Sequence, residues 1–336
     1  MKMTPGKLAG MKAVSNARGV IAAAAMDQRG SLKKALASEK GGEISDAMME
    51  EFKTAVTEVL TPHASAILLD PQWGLPAAKR RASTAGLLLA YEESGYDNTR
   101  PGRRPDLLPT WSVRRLMEAG ASCIKILLYY TPFEDAAVNE EKHAWVERIG
   151  DECRANDVPF FLEFVGYDPA GGDEKGAEFA KQKPEVVKQS MAEFTKERYG
   201  VDVMKVEVPV NMKYVEGARS FVGPAAYTRD QAKQCFLDAA AVSTKPFIYL
   251  SAGVSNAEFT ESLELAAESG ATFSGVLCGR ATWKDGIPVY GKQGDAAFRA
   301  WLSDQGVVNI NNVNKGIEPA TPWYACYGVG SADALA

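Results

Sequence analysis

A chain of 336 residues is long enough for two average domains, yet it also suits a single α/β barrel, which commonly takes about 250 residues or more. Its 46% apolar and 24% charged residues are enough to fill a large core, and a net charge of -5 with no long Lys/Arg run argues against nucleic acid or a membrane surface as a partner. Five cysteines (Cys123, Cys153, Cys235, Cys278, Cys326) without a Cys-x-x-Cys pair fit a reducing compartment, and no apolar run approaches the ~20 residues of a membrane helix, so a soluble, cytoplasmic protein is expected.

The first apolar run, residues 19–26, has the small residues of a signal-peptide core, but it is short and Asp27, Gln28 and Arg29 follow at once; it reads as a strand. Seven more runs of strand length follow at residues 65–69, 86–90, 122–129, 159–165, 202–208, 246–250 and 273–278. Most are apolar on both faces, as parallel strands covered by helices must be. Helical spacing fills most of the gaps. Residues 45–60 start at a Ser/Asp cap and place Met48, Phe52, Val56 and Leu60 four apart. Similar patterns occupy 111–119, 142–155, 184–199, 228–242 and 257–269, and the weakest helix falls in 70–85.

Eightfold alternation, with no Gly-x-Gly-x-x-Gly after the first strand, predicts a (β/α)8 TIM barrel and not a doubly wound sheet. We expect one barrel over residues 1–310 and a C-terminal extension over 311–336 that is partly disordered, its last eight or so residues above all. Residues 171–183, rich in Gly, Asp and Lys just past the fifth strand, are expected to form a loop on the catalytic face, either a mobile lid or a solvated linker.

Charged side chains inside these strands carry the functional signal, because an ion on a buried strand costs several kcal/mol unless it is paired or used. Asp27 closes the first strand, Lys125 lies in the fourth, Glu163 in the fifth, and Lys205 with Glu207 in the sixth. In a parallel barrel the fourth to sixth strands are neighbours and alternate residues point inward, so Lys125, Glu163 and Lys205 can converge. A buried lysine beside a second cation favours the neutral amine that attacks a ketone, and a carboxylate between them can move protons. The competing reading is a Lys-Glu-Lys ion cluster that only ties strands together.

The seventh and eighth strands end in Ser251-Ala252-Gly253 and Cys278-Gly279-Arg280, where barrel enzymes usually hold a phosphate on backbone N–H groups, here with Arg280 able to add a charge-assisted contact. The two histidines, His63 and His143, fall after and inside predicted helices. They read as surface or packing residues, and no metal site is expected.

With these motifs in place, the chain resembles the class I tagatose 1,6-bisphosphate aldolases. The resemblance rests on residues 26–32 (Met-Asp-Gln-Arg-Gly-Ser-Leu), 69–71, 125–130, 205–211 (Lys-Val-Glu-Val-Pro-Val-Asn), 249–255 and 275–283, in that order, and spans about residues 15 to 305. It implies that Lys205 forms a Schiff base, that Glu163 is the general acid/base, and that Asp27 and Lys125 position and polarise groups around the imine. It further implies that Ser251, Gly253, Gly279 and Arg280 hold one phosphate, with Gln28 and Arg29 lining the site. The implied substrate is a small phosphorylated ketose and no cofactor is implied. Fructose 1,6-bisphosphate and 6-deoxy-6-sulfofructose 1-phosphate are alternative substrates. A sugar-phosphate sensor without chemistry, and a barrel enzyme for isomerisation or decarboxylation, are the alternatives of other classes. Pairing into a homo-oligomer stays open, since no helix is apolar enough all round to name an interface. The sequence departs from the family pattern at Phe164-Val165-Gly166 and in its longer Gly/Ala-rich C-terminus.

Overall fold

The computed structural model describes residues 2–336. Eight strands, β1 (Ile21–Met26), β2 (Ala66–Leu69), β3 (Gly86–Ala90), β4 (Cys123–Tyr129), β5 (Phe160–Val165), β6 (Val203–Glu207), β7 (Phe247–Leu250) and β8 (Gly275–Cys278), pair in sequence order, all parallel, and β8 pairs back onto β1 to close the barrel. Each strand lies inside one of the apolar runs expected from the sequence. With helices on the outside, a strand has both faces covered, and these runs have too few polar residues to lie anywhere else.

The helices are α1 (Pro5–Ala13), α2 (Gly30–Lys40), α3 (Asp46–Leu60), α4 (Leu75–Ala78), α5 (Val113–Glu118), α6 (Ala136–Ala155), α7 (Ala177–Phe194), α8 (Arg229–Ala241), α9 (Asn256–Ser269), α10 (Arg280–Trp283), α11 (Ile287–Gln293), α12 (Asp295–Trp301) and α13 (Val307–Gly316). Several begin where capping chemistry dictates. Ser45 accepts from Met48 N to start α3, and Thr228 and Gln231 form a reciprocal capping box on α8. The expected helix at residues 184–199 starts earlier and stops sooner: Pro184 sits inside α7 rather than at its head. Phe179, Ala180 and Lys183 are buried on the same helix as Val186 and Val187, and this packing carries the helix through the proline. Much of the expected 171–183 loop is therefore helical.

Two concentric cores result. One fills the space between barrel and helices. The other fills the barrel interior with Ile21, Ala23, Ala66, Leu68, Leu88, Cys123, Phe161, Val203, Ile248 and Leu277, one or two side chains from each strand. Beneath this inner core α1 and the C-terminal residues close the N-terminal end of the barrel. The C-terminal residues, expected to be partly disordered from their small-residue composition, run across that end instead. Thr321 N donates to Phe273 O, Trp323 N to Gly19 O and Met3 N to Leu335 O, while Trp323 is fully buried in the inner core. One indole supplies burial that the surrounding Gly and Ala residues cannot. No helix among the described residues is long and apolar enough to cross a membrane.

We predict that Trp323→Ala lowers unfolding stability by about 3–5 kcal/mol, because it empties the plug under the barrel. Urea unfolding measures this directly; a loss below about 1 kcal/mol would show that the C-terminal residues merely lie on the surface.

Candidate active site

Strand register decides which side chains meet. In β4, Cys123 belongs to the inner core, so Lys125 two residues on also points inward; the same alternation carries Phe161 to Glu163 in β5 and Val203 to Lys205 and Glu207 in β6. Glu163 pairs in register with Lys205, which puts those two at one height. Lys125 pairs with Phe161, one layer lower, and its long side chain reaches up from beneath.

The result is a buried ion cluster above the apolar plug. Lys125 Nζ lies 2.8 Å from Asp27 Oδ2, 3.0 Å from Glu92 Oε1 and 2.7 Å from Glu163 Oε2, and Lys205 Nζ lies 2.9 Å from the same Glu163 oxygen. Arg29 pairs with Glu92 at 3.5 Å. Three carboxylates thus face three cations. Burial alone would raise the carboxyl of Asp27, but Lys125 and Lys205 outweigh it and hold it far below its usual range; burial likewise pushes Glu163 up, and the same two lysines bring it below its usual range. Glu92 goes the other way: burial pushes it up and its cations only partly compensate. For Lys125, burial is overcome by Asp27, Glu163 and Glu92, so this ammonium is held charged well beyond its normal range.

A cavity of about 770 Å³ opens over the cluster at the C-terminal ends of the strands, a size that suits a small metabolite. Of the residues expected from the sequence, Asp27, Gln28, Arg29, Glu163, Lys205, Ser251, Gly253 and Arg280 line it. Lys125 lies under its floor, fully buried, and Gly279 stands behind its wall. At Gly279 an added Cβ would come 2.7 Å from the Ala25 carbonyl oxygen, so the glycine lets β8 pass close to β1. Gly253 has a positive φ of 79°, and a Cβ there would sit 2.8 Å from the Arg280 guanidinium carbon. A side chain at 253 would therefore push away the cation meant to face the ligand. Lys284 Nζ donates to Gly253 O at 2.9 Å and fixes this loop from above. The arrangement can hold an anion between backbone N–H groups, Arg280 and Lys284.

Two groups escaped the sequence reading. Glu92 follows Ala90 at the end of β3, in step with Leu88 and Ala90 on the inner face; extending that alternation by two residues would have found it. Lys53, on α3, is fully buried and pairs with Asp70 at 2.6 Å, while its Nζ donates to the carbonyls of Met26 and Gln28. It holds the turn that aims Asp27, Gln28 and Arg29, and nothing short of the tertiary fold brings α3 to that turn. Of the histidines, His143 is buried against Tyr130 and Glu140, outside the cavity wall.

We predict that Lys125→Met destabilises the fold by about 3–5 kcal/mol at pH 7, since it strands buried carboxylates without their shared cation. With Asp27 and Glu163 held low, the wild type keeps their contribution above pH about 4–4.5 and loses it as pH falls further. Without Lys125 all three carboxyls move up, so the variant loses stability as pH rises from about 4 to 7. Melting temperatures across that range should diverge with pH; parallel curves would contradict the charge balance described.

A family model described as "DeoC/LacD family aldolase" matches residues 21–285. A tagatose 1,6-diphosphate aldolase of Listeria monocytogenes is 52% identical over 329 residues, covering 98% of this chain and 96% of that protein. A tagatose 1,6-diphosphate aldolase 2 of Enterococcus faecalis is 51% identical over 328 residues, covering 97% and 98%. Among solved structures, a Schiff-base-forming fructose-1,6-bisphosphate aldolase superposes with a TM-score of 0.52 at 16% identity over 87% of this chain and 97% of that one. The fructose-bisphosphate aldolase of Plasmodium falciparum reaches a TM-score of 0.64 at 15% identity over 93% and 96%.

Proposed function

The chain belongs to the DeoC/LacD family of aldolases, and from that premise we propose that it cleaves tagatose 1,6-bisphosphate reversibly to dihydroxyacetone phosphate and glyceraldehyde 3-phosphate, with Lys205 as the Schiff-base amine. The observation that carries the reading is Lys205 on the cavity floor, 5% exposed, with Glu163 Oε2 at 2.9 Å and the Lys125 ammonium 2.7 Å from that same oxygen.

Lys205 passes a proton to Glu163, 2.9 Å away, its neutral amine adds to the C2 ketone, and Glu163 returns that proton to the departing hydroxyl, so that water leaves and an iminium remains. Glu163, held as a carboxylate by the two lysines, then takes the proton of the C4 hydroxyl. The electrons of the C3–C4 bond flow into the iminium, the aldehyde leaves, and an enamine is left on Lys205. Protonation at C3 and hydrolysis return dihydroxyacetone phosphate and the free amine. Lys125 keeps Glu163 in place and offsets its charge, and Asp27 positions that ammonium at 2.8 Å. Ser251, Gly253 and Arg280 hold the C1 phosphate, with Gly279 allowing the approach of the strands behind them, and Gln28 and Arg29 close the wall beside Asp27.

The 52% and 51% identities to tagatose 1,6-diphosphate aldolases over nearly the full chain favour tagatose bisphosphate as substrate. Assays on tagatose 1,6-bisphosphate, fructose 1,6-bisphosphate and 6-deoxy-6-sulfofructose 1-phosphate should give the highest kcat/KM for the first; the highest value for the sulfosugar would overturn the assignment. We further expect Glu163→Gln to lower cleavage by about 10²–10⁴-fold, whereas Lys205→Met abolishes both cleavage and the deuterium exchange of dihydroxyacetone phosphate at C3. Full exchange in Lys205→Met would place the amine elsewhere.

A further inference from the structure

Between β3 and α5 the chain makes an excursion stiffened by two antiparallel bridges, Glu92 with Leu107 and Asp97 with Arg104. At its tip Gly102 and Arg103 are both left-handed, with φ of 90° and 47°. Arg103 thus holds a backbone conformation that is strained for a non-glycine residue. The tip is closely packed where it stands: Gly102 lies so near Val138 that a Cβ would overlap it, and Gly102 O is 3.1 Å from Tyr167 Oη, which donates to Glu134 at 2.7 Å.

This strained tip aims the Arg103 guanidinium into the cavity wall, inside a cage of three tyrosines. Its central carbon lies 4.6 Å from the ring of Tyr167, 5.2 Å from that of Tyr96 and 5.5 Å from that of Tyr129. Its one carboxylate partner is Glu174, at 2.6 Å and itself on the cavity wall. At the end of β4, the Tyr129 phenol is pushed up by burial and by the charge of Glu163, and Arg103 opposes that shift.

Strand order turns this into a direction. If the C1 phosphate sits at the ends of β7 and β8, C2 on Lys205 of β6 and the C4 hydroxyl on Glu163 of β5, the substrate chain runs round the mouth towards β4 and the excursion that follows β3. Its far end then meets Tyr129 and Arg103. Arg29, the other cation on that side, is 4% exposed and faces Glu92 at 3.5 Å, whereas the Arg103 side chain is 22% exposed; Lys175 and Lys213 are exposed on segments above β5 and β6.

We propose that Arg103, framed by Tyr96, Tyr129 and Tyr167, is the receptor for the anionic group at the far end of the ketose phosphate, which displaces Glu174 from the guanidinium. The inference rests on the aldolase reading above. An arginine is suited to it because its planar fork can bind two phosphate oxygens while its faces stay on the rings. Glu174 keeps the guanidinium paired and placed until that anion arrives.

The test compares Arg103→Ala and Arg103→Lys with wild type on a ketose 1,6-bisphosphate, on the corresponding 1-phosphate lacking the far anion, and in C3 deuterium exchange of dihydroxyacetone phosphate. Arg103→Ala should lower kcat/KM for the bisphosphate about 10- to 100-fold, mainly through KM, and leave the 1-phosphate and the exchange within about twofold. Arg103→Lys, which keeps charge and bulk, should show a smaller loss with the same selectivity and serves if the alanine variant does not fold. Equal losses on both substrates, or a loss of exchange, would make Arg103 a prop for the loop, and unchanged kinetics on all three would remove it from the site. Wild-type exchange failing altogether would instead defeat the aldolase reading, so the two failures are distinguishable.

Discussion

A single ammonium organises the mouth of this barrel. Lys125 is fully buried, and three carboxylates, Glu163 within β5 and Asp27 and Glu92 just past β1 and β3, sit within 3.0 Å of it. Like charges brought that close repel in a medium that screens them poorly, so without the central cation the carboxylates would have to separate or take up protons. With it they hold fixed places, and Glu163 in particular stays ionised 2.9 Å from Lys205. In the mechanism proposed above, a base already deprotonated and aimed needs no rearrangement when the reaction begins, which is the electrostatic preorganisation an aldol cleavage requires.

The barrel makes the cluster possible by separating labour along its axis. Lower layers of the interior are apolar and sealed beneath by α1 and Trp323, so the strands are held before any polar layer is added. The polar layer then inherits its geometry from strand register: Lys125 starts one layer below Glu163 and Lys205, and its length brings its charge up to theirs. Outside the barrel, Lys53 performs a related task, neutralising Asp70 and binding two carbonyls of the turn after β1. Ion pairs of this kind contribute little net stability but penalise every arrangement in which a partner is missing.

How much of this the sequence revealed follows from the range of the interactions involved. Strands were legible because residues such as 86–90 and 246–250 are apolar throughout, and capped helices because Ser45 and Thr228 act within one turn. Lys125, Glu163 and Lys205 stood out as charges in apolar strings, and alternation alone brought them to one interior. Glu92 did not stand out, since it lies just past its strand in a polar stretch, Tyr-Glu-Glu-Ser, that looks like any loop. Lys53 carries no signal of its own in the sequence, because its partner is set by tertiary packing. The start of α7 was misjudged because Pro184 is a local stop signal that packing of Phe179 and Val187 overrides. The ordering of the C-terminal residues likewise depends on contacts with Gly19 and Phe273, more than 40 residues away along the chain.

The central claim is that the amine of Lys205, and no other, forms the imine. It is tested most directly by reducing the wild-type protein with borohydride in the presence of dihydroxyacetone phosphate and mapping the adduct by peptide mass spectrometry. The account predicts one covalent addition, located on Lys205 and dependent on the ketose phosphate. An unmodified Lys205 peptide from protein that is active in cleavage, or an adduct on Lys125 in its place, would contradict it.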